Sequence, residues 1–230
     1  MIKLKNILYE GRYNKLVGQI IKDIFKIIKQ KKPIDNNVKT KNWDNYFETS
    51  KNTNFQVNNY RGDIDVDVEL NYLITTNIKK GTYYIDGGVY TEMSPELTIM
   101  LVVNPNDIPG VYSDILPVFR DLVRHEIEHL TQRDWNLKYS KFKKRNNALR
   151  QKIKKTGLNY KYFMLADEAD ANIHGLYAKA ETLKQPYQKV VDNYLDELVN
   201  NKVVTIEQRK EIYDKWKKRI PQIGGIPKLN

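Results

Sequence analysis

Residues 124–132 read Arg-His-Glu-Ile-Glu-His-Leu-Thr-Gln, and this His-Glu-x-x-His string constrains the fold more than any other part of the chain. Two imidazoles at this spacing can hold one metal ion if the segment is a helix, where positions four apart lie one turn apart on the same face. His125 and His129 then form the pair. Glu126, about 100° further round, faces the same space without joining it. The chain has three histidines in 230 residues, and two of them stand here, which makes chance a poor explanation. A metal held by one helix needs a further ligand from elsewhere, so the fold must bring a second element against this one.

Hydropathy patterning supplies the surroundings. From Tyr9 to about Lys31, the residues Leu16, Val17, Ile20, Ile21, Ile24, Phe25, Ile27 and Ile28 make a helical stripe with lysines opposite. Pro33 and the Asn-, Asp- and Lys-rich stretch to about Asn59 read as an irregular connection, and Arg61-Gly62-Asp63 as a loop-to-strand turn. Strict alternation then sets Ile64, Val66, Val68 and Leu70 against Asp65, Asp67 and Glu69, a half-buried strand. Gly81–Val89 is a second strand, ending in the turn signal Asp86-Gly87-Gly88. Leu97–Val103 is a third and more fully buried one, closed by Asn104-Pro105.

Ser113 is placed to cap the motif helix, with Pro117 tolerated in its first turn, and Phe119, Leu122, Val123 and Leu130 supply its apolar contacts. Helical patterns follow over 138–155, 163–183, 187–200 and 205–219, with a loose tail after Pro221. No repeat is visible. The order helix, strands, helices predicts an α+β fold, with a small sheet of three to four strands packed on the motif helix and a helical C-terminal part. One domain over 1–230 is expected: an N-terminal helix and connection (1–60), the sheet and motif helix (61–135), and a helical part carrying the third ligand (136–220).

Composition narrows the chemistry. No apolar run approaches the ~20 residues that span a bilayer, so no membrane association is expected. The N-terminal stretch lacks the continuous apolar region and cleavage site of a secretory signal. Zero cysteines exclude disulfides and thiolate ligands, so a metal here is held by nitrogen and oxygen. A net charge of +11 and a pI near 9.4 are compatible with an anionic partner. Lys138, Lys141, Lys143, Lys144, Arg145, Arg150, Lys152, Lys154 and Lys155 crowd residues 138–155. The plain reading is a solvated helix face; the sharper one is a contact with DNA or another polyanion near the site. Tyr139 and Phe142 are too few to argue for base stacking.

The third ligand is sought in the dense run Asp167-Glu168-Ala169-Asp170-Ala171-Asn172-Ile173-His174-Gly175. At about 100° per residue, Glu168, Ala171, Asn172 and Gly175 fall on one stripe, a carboxylate followed by small or polar residues that let two helices approach. Asp170 points the other way and His174 sits about 120° off. Glu168 is therefore favoured, with His174 and Asp170 as the alternatives.

Together, His125-Glu126-x-x-His129 and Glu168-x-x-Ala171-Asn172-x-x-Gly175 resemble the gluzincin group of zinc metallopeptidases. In that group a glutamate on a second helix is the third ligand. Residues 8–13 (Leu-Tyr-Glu-Gly-Arg-Tyr), 112–115 and 124–132 also resemble uncharacterised peptidase-like proteins of tailed bacteriophages. The gluzincin likeness implies a zincin-like fold, one zinc ion, and a peptide or protein substrate added as a strand along Leu97–Val103. It further implies Glu126 as general base and Asn172 as a hydrogen-bond partner behind a ligand histidine, where some gluzincins have Asp. The phage likeness implies a place in the host cytoplasm or the virion.

In such a site the metal brings the pKa of bound water towards ~7, Glu126 takes its proton and delivers it to the leaving amine, and a further donor steadies the oxyanion. Tyr162 and His174 are candidates for that donor, with Tyr160 and Tyr177 behind them; Glu128 is expected to be solvated or to stand behind a ligand. The alternatives are a chance motif whose histidines merely pack, and a basic virion or nucleic-acid-associated protein with a vestigial zincin core.

Overall fold

The computed structural model describes residues 4–30, 47, 53–61, 64–90, 95–132, 138–223 and 225–230, with the side chains of all but 4–12, 90, 132 and 138–146. The chain is α+β. Its elements are α1 (Leu4–Gln30), β1 (Asn54–Tyr60), β2 (Val66–Ile74), β3 (Tyr83–Tyr90), β4 (Glu96–Val103), α2 (Val111–Gln132), α3 (Lys138–Thr156), α4 (Ala166–Leu183), α5 (Tyr187–Asn200) and α6 (Ile206–Ile223). A 3-10 segment, Asn159–Met164, joins α3 to α4. No described helix is long and apolar enough to cross a membrane. Packing divides the chain into two compact units, Lys15–Glu126, and Ile127–Asn230 with Met1–Asn14; the division passes within α2.

In the first unit the sheet order is β1-β2-β4-β3, with β2 and β4 parallel and both outer strands antiparallel to their neighbours. Val66, Val68, Leu70 and Tyr72 of β2 share a fully buried face with Leu97, Ile99 and Leu101 of β4, as the parallel register requires. The opposite face is partly covered too: Leu73 and Val102 pack with Phe47. Helix α1 buries Val17, Ile20, Ile21, Ile24 and Ile28 and keeps Lys22, Lys26 and Lys29 outside, the amphipathic division its spacing sets. Phe25 meets Phe119 of α2 edge-on at 5.7 Å.

Several elements of this unit depart from the sequence expectations. The connection expected up to Asn59 contains β1, a largely exposed edge strand paired with β2; its asparagines disfavour a strand, and sheet pairing overrides that preference. The rest of that connection and Gly62-Asp63 lie outside the described residues. Asp86-Gly87-Gly88 is no turn but lies within β3, opposite Met100, Ile99 and Thr98. Glycine is required there: a Cβ on Gly87 would stand 2.8 Å from the Thr98 carbonyl oxygen and 3.2 Å from Leu122 of α2. Strand β4 is interior, with both edges taken by β2 and β3, so no substrate strand can add along Leu97–Val103. Helix α2 starts at Val111, ahead of Ser113, whose hydroxyl donates to the Gly110 carbonyl; Pro117 consequently falls in the second turn.

In the second unit α4 is the central element, with ten buried residues on nearly all sides. Ala169, Ile173, Leu176 and Ala180 pack into a core with Val190, Val191 and Leu195 of α5 and Ile212, Trp216 and Ile220 of α6. The tail expected to be loose is packed: Ile226 and Leu229 belong to that core, and Tyr213 donates to the Asn230 carbonyl at 2.8 Å.

Candidate metal centre

Helix α2 carries His125 and His129 one turn apart, as the spacing requires, and α4 carries Glu168 in its first turn. One nitrogen of each histidine and one carboxylate oxygen of Glu168 all lie within 4.8 Å of one another. His129 Nε2 stands 3.6 Å from Glu168 Oε2. Donors set tetrahedrally at about 2.0–2.1 Å from zinc are about 3.4 Å apart, so this pair already matches an edge of such a polyhedron. Glu126 Oε1 is 3.9 Å from His125 Nε2, and the Glu126 side chain is nearly buried. Two imidazoles and a carboxylate, with no thiolate, suit a borderline cation such as Zn²⁺.

Glu168 is held firmly. Its carboxylate lies at the N-terminus of α4, where the helix dipole favours an anion. Arg150 of α3 hydrogen bonds to Oε1 and, from the same Nη2, to Asp167 Oδ2 at 2.8 Å. The Arg150 guanidinium lies over the Tyr162 ring, 4.8 Å from its centroid, and the Tyr162 hydroxyl also hydrogen bonds to Glu168. Burial by itself would raise the Glu168 carboxyl; His129, Arg150 and Tyr162 outweigh it and bring it down to about 2. The Tyr162 hydroxyl moves the other way, to about 12, through burial and the Glu168 charge.

The remaining candidates occupy other places. His174 is buried with its Nε2 3.6 Å from Glu128 Oε2, outside the three-donor group; Glu128 is half-buried against it rather than solvated. Asp170 forms a two-pronged pair with Arg219 of α6, both contacts at 2.6 Å. Asn172 donates to the Glu168 carbonyl at 2.7 Å and accepts from the Tyr194 hydroxyl at 3.3 Å. It thus braces the backbone of Glu168 where the resemblance implies a ligand histidine as its partner. Tyr162 has its hydroxyl on Glu168, Tyr160 donates to Glu211, and Tyr177 stacks edge-on with Tyr187.

Sequence reasoning missed Arg150 as part of the site, because it stands among nine basic residues of one helical stretch. The adjacent acids Asp167 and Glu168 are the available signal: two neighbouring carboxylates at the start of a core helix need a cation.

Compared with protein-family models, curated proteins and solved structures, the chain matches none. The gluzincin and phage resemblances therefore rest on the motifs alone, and the chemistry rests on the side chains described above.

Proposed function

We propose that the chain is a zinc-dependent metallopeptidase of zincin-like build. The observation that carries this reading is the gathering of His125, His129 and Glu168 within 4.8 Å, with the Glu126 carboxylate beside His125. Zinc in that set supplies a Lewis acid and an activated water. His125, His129 and Glu168 would hold the ion, since they are the three nitrogen and oxygen donors gathered here. Glu126 does not join them. Its carboxylate accepts the proton of the attacking water and returns it to the leaving amine nitrogen, so the residue ends the cycle unprotonated. Arg150 and Tyr162 keep Glu168 anionic and aimed.

Metal analysis of the purified protein tests the centre. One zinc per chain is expected, retained in His174→Ala and lost in Glu168→Ala; the reverse pattern overturns the ligand set. For catalysis, wild type should cleave an unfolded protein substrate and Glu126→Gln should not. Equal cleavage by both removes Glu126 as the base.

A second reading is favoured by one observation. Residues 138–161 contain ten Lys and Arg and no Asp or Glu, and Lys152, Lys154, Lys155 and Lys161 are exposed. That pattern suits a nucleic-acid-associated protein, whose binding would survive Glu126→Gln.

A further inference from the structure

We propose that Arg150 is a positioning residue that makes Glu168 a single-oxygen ligand. The inference rests on the metal centre proposed above and adds to it a residue from a third helix. Two charged partners take different oxygens of Glu168: Oε1 takes a hydrogen bond from Arg150 Nη2 and Oε2 faces His129 at 3.6 Å, with the Tyr162 hydroxyl as a further, neutral donor to the carboxylate. A carboxylate with both oxygens free can chelate a cation through both. Here Oε1 is committed to a permanent cation, so Oε2 alone is presented towards the histidines.

Arginine suits this task for three reasons visible in the structure. Nη2 carries two N–H groups, and they go to two neighbouring acids, Asp167 Oδ2 and Glu168 Oε1. The guanidinium carbon lies over the Tyr162 ring, 4.8 Å from its centroid, a contact that a weakly hydrated guanidinium makes more readily than an ammonium. Arginine also stays charged at any pH at which the site operates, so its hold on Oε1 does not lapse. The Glu168 side chain is 3% exposed, so with Arg150 in place the guanidinium and not bulk water serves Oε1.

Removing Arg150 strips Oε1 of its charged partner and leaves the Tyr162 hydroxyl as the neutral donor to the carboxylate. Glu168 would then be free to offer both oxygens to an ion held by His125 and His129. Outer partners of metal ligands typically contribute 10–100-fold in affinity, and a loss of about that size is expected on Arg150→Met.

The experiment uses the full chain loaded with zinc. Affinity is measured by competition with a chromogenic chelator, and the number and distance of oxygen neighbours by X-ray absorption at the zinc edge. Wild type should show one carboxylate oxygen. Arg150→Met should bind zinc 10–100-fold more weakly and show an added oxygen neighbour, and Arg150→Lys should fall between. Circular dichroism checks folding; if Arg150→Met does not fold, Asp167→Asn, which removes one support of the guanidinium, should shift both readouts the same way by less. Unchanged affinity and coordination in a folded Arg150→Met protein, or in Asp167→Asn where only that folds, overturns the inference alone. Wild type that takes up no zinc overturns the metal centre beneath it.

Discussion

Two histidine–carboxylate pairs join the same two helices. His129 of α2 faces Glu168 of α4, and Glu128 of α2 faces His174 of α4, each at 3.6 Å. One pair has a second histidine a turn away with the Glu126 carboxylate beside it; the other sits near Asp170, which pairs with Arg219. Chemistry at the first pair leaves a trace in stability. The Glu168 carboxyl ordinarily titrates at 4.5 and in the fold near 2, because His129, Arg150 and Tyr162 outweigh its burial. The unfolded chain therefore binds this proton at higher pH than the folded one. The stabilisation is complete above the ordinary value, on the order of 3 kcal/mol, and is lost as pH falls through the window between the two values. Glu168→Gln does not titrate. In metal-free protein, the denaturant-measured gap between wild type and Glu168→Gln should shrink on going from neutrality to about pH 3. A gap that stays constant would mean that these partners do not hold the carboxylate.

At the scale of elements, the close meeting of β3 and α2 at Gly87 has a measurable consequence. Gly87→Ala would push a methyl to 2.8 Å from the backbone oxygen of Thr98, which no side-chain rotation relieves. We expect a loss of about 1–3 kcal/mol in chemical denaturation, whereas Gly88→Ala, which meets nothing within 4 Å, should cost less. The same glycine shows where sequence reasoning stops. Composition reads Asp86-Gly87-Gly88 as a turn, because glycine most often serves conformational freedom; only the neighbouring helix reveals that it serves close approach. Periodicity did place α1, α2, β2 and β4, since each buries one regular face or a continuous apolar run. It did not find β1, which has little buried surface to pattern, nor could it say that β4 is interior, because strand order depends on residues far apart in the chain. The candidate metal-binding residues are legible for a different reason. Two histidines at helical spacing and one acid on a small-residue stripe are local signals, whereas Arg150 becomes visible only when α3 is folded against α4.

For the whole molecule, charge is distributed as unevenly as structure. The unit Lys15–Glu126 holds 14 Lys and Arg against 15 Asp and Glu, a net −1, and the remainder holds 25 against 13, a net +12. All of the excess therefore belongs to the helical unit that carries Glu168, and most of it to α3 and the 3-10 segment after it. Arg150 alone in the described part of this stretch is drawn inward, to Asp167 and Glu168; Lys152, Lys154, Lys155 and Lys161 remain outside. If these lysines contact phosphates, duplex DNA affinity must fall linearly with the logarithm of salt concentration, with about 0.9 of slope for each phosphate neutralised. Replacing Lys152, Lys154 and Lys155 together by Gln should then flatten the slope by up to about 3 while leaving zinc content and Glu126-dependent cleavage unchanged. A slope unaffected by the triple substitution would assign these lysines to solvent and keep the excess charge a matter of solubility. The converse variant separates the two roles: Arg150→Met should alter zinc uptake but change the salt slope by little, because the guanidinium is already committed to the carboxylates of α4.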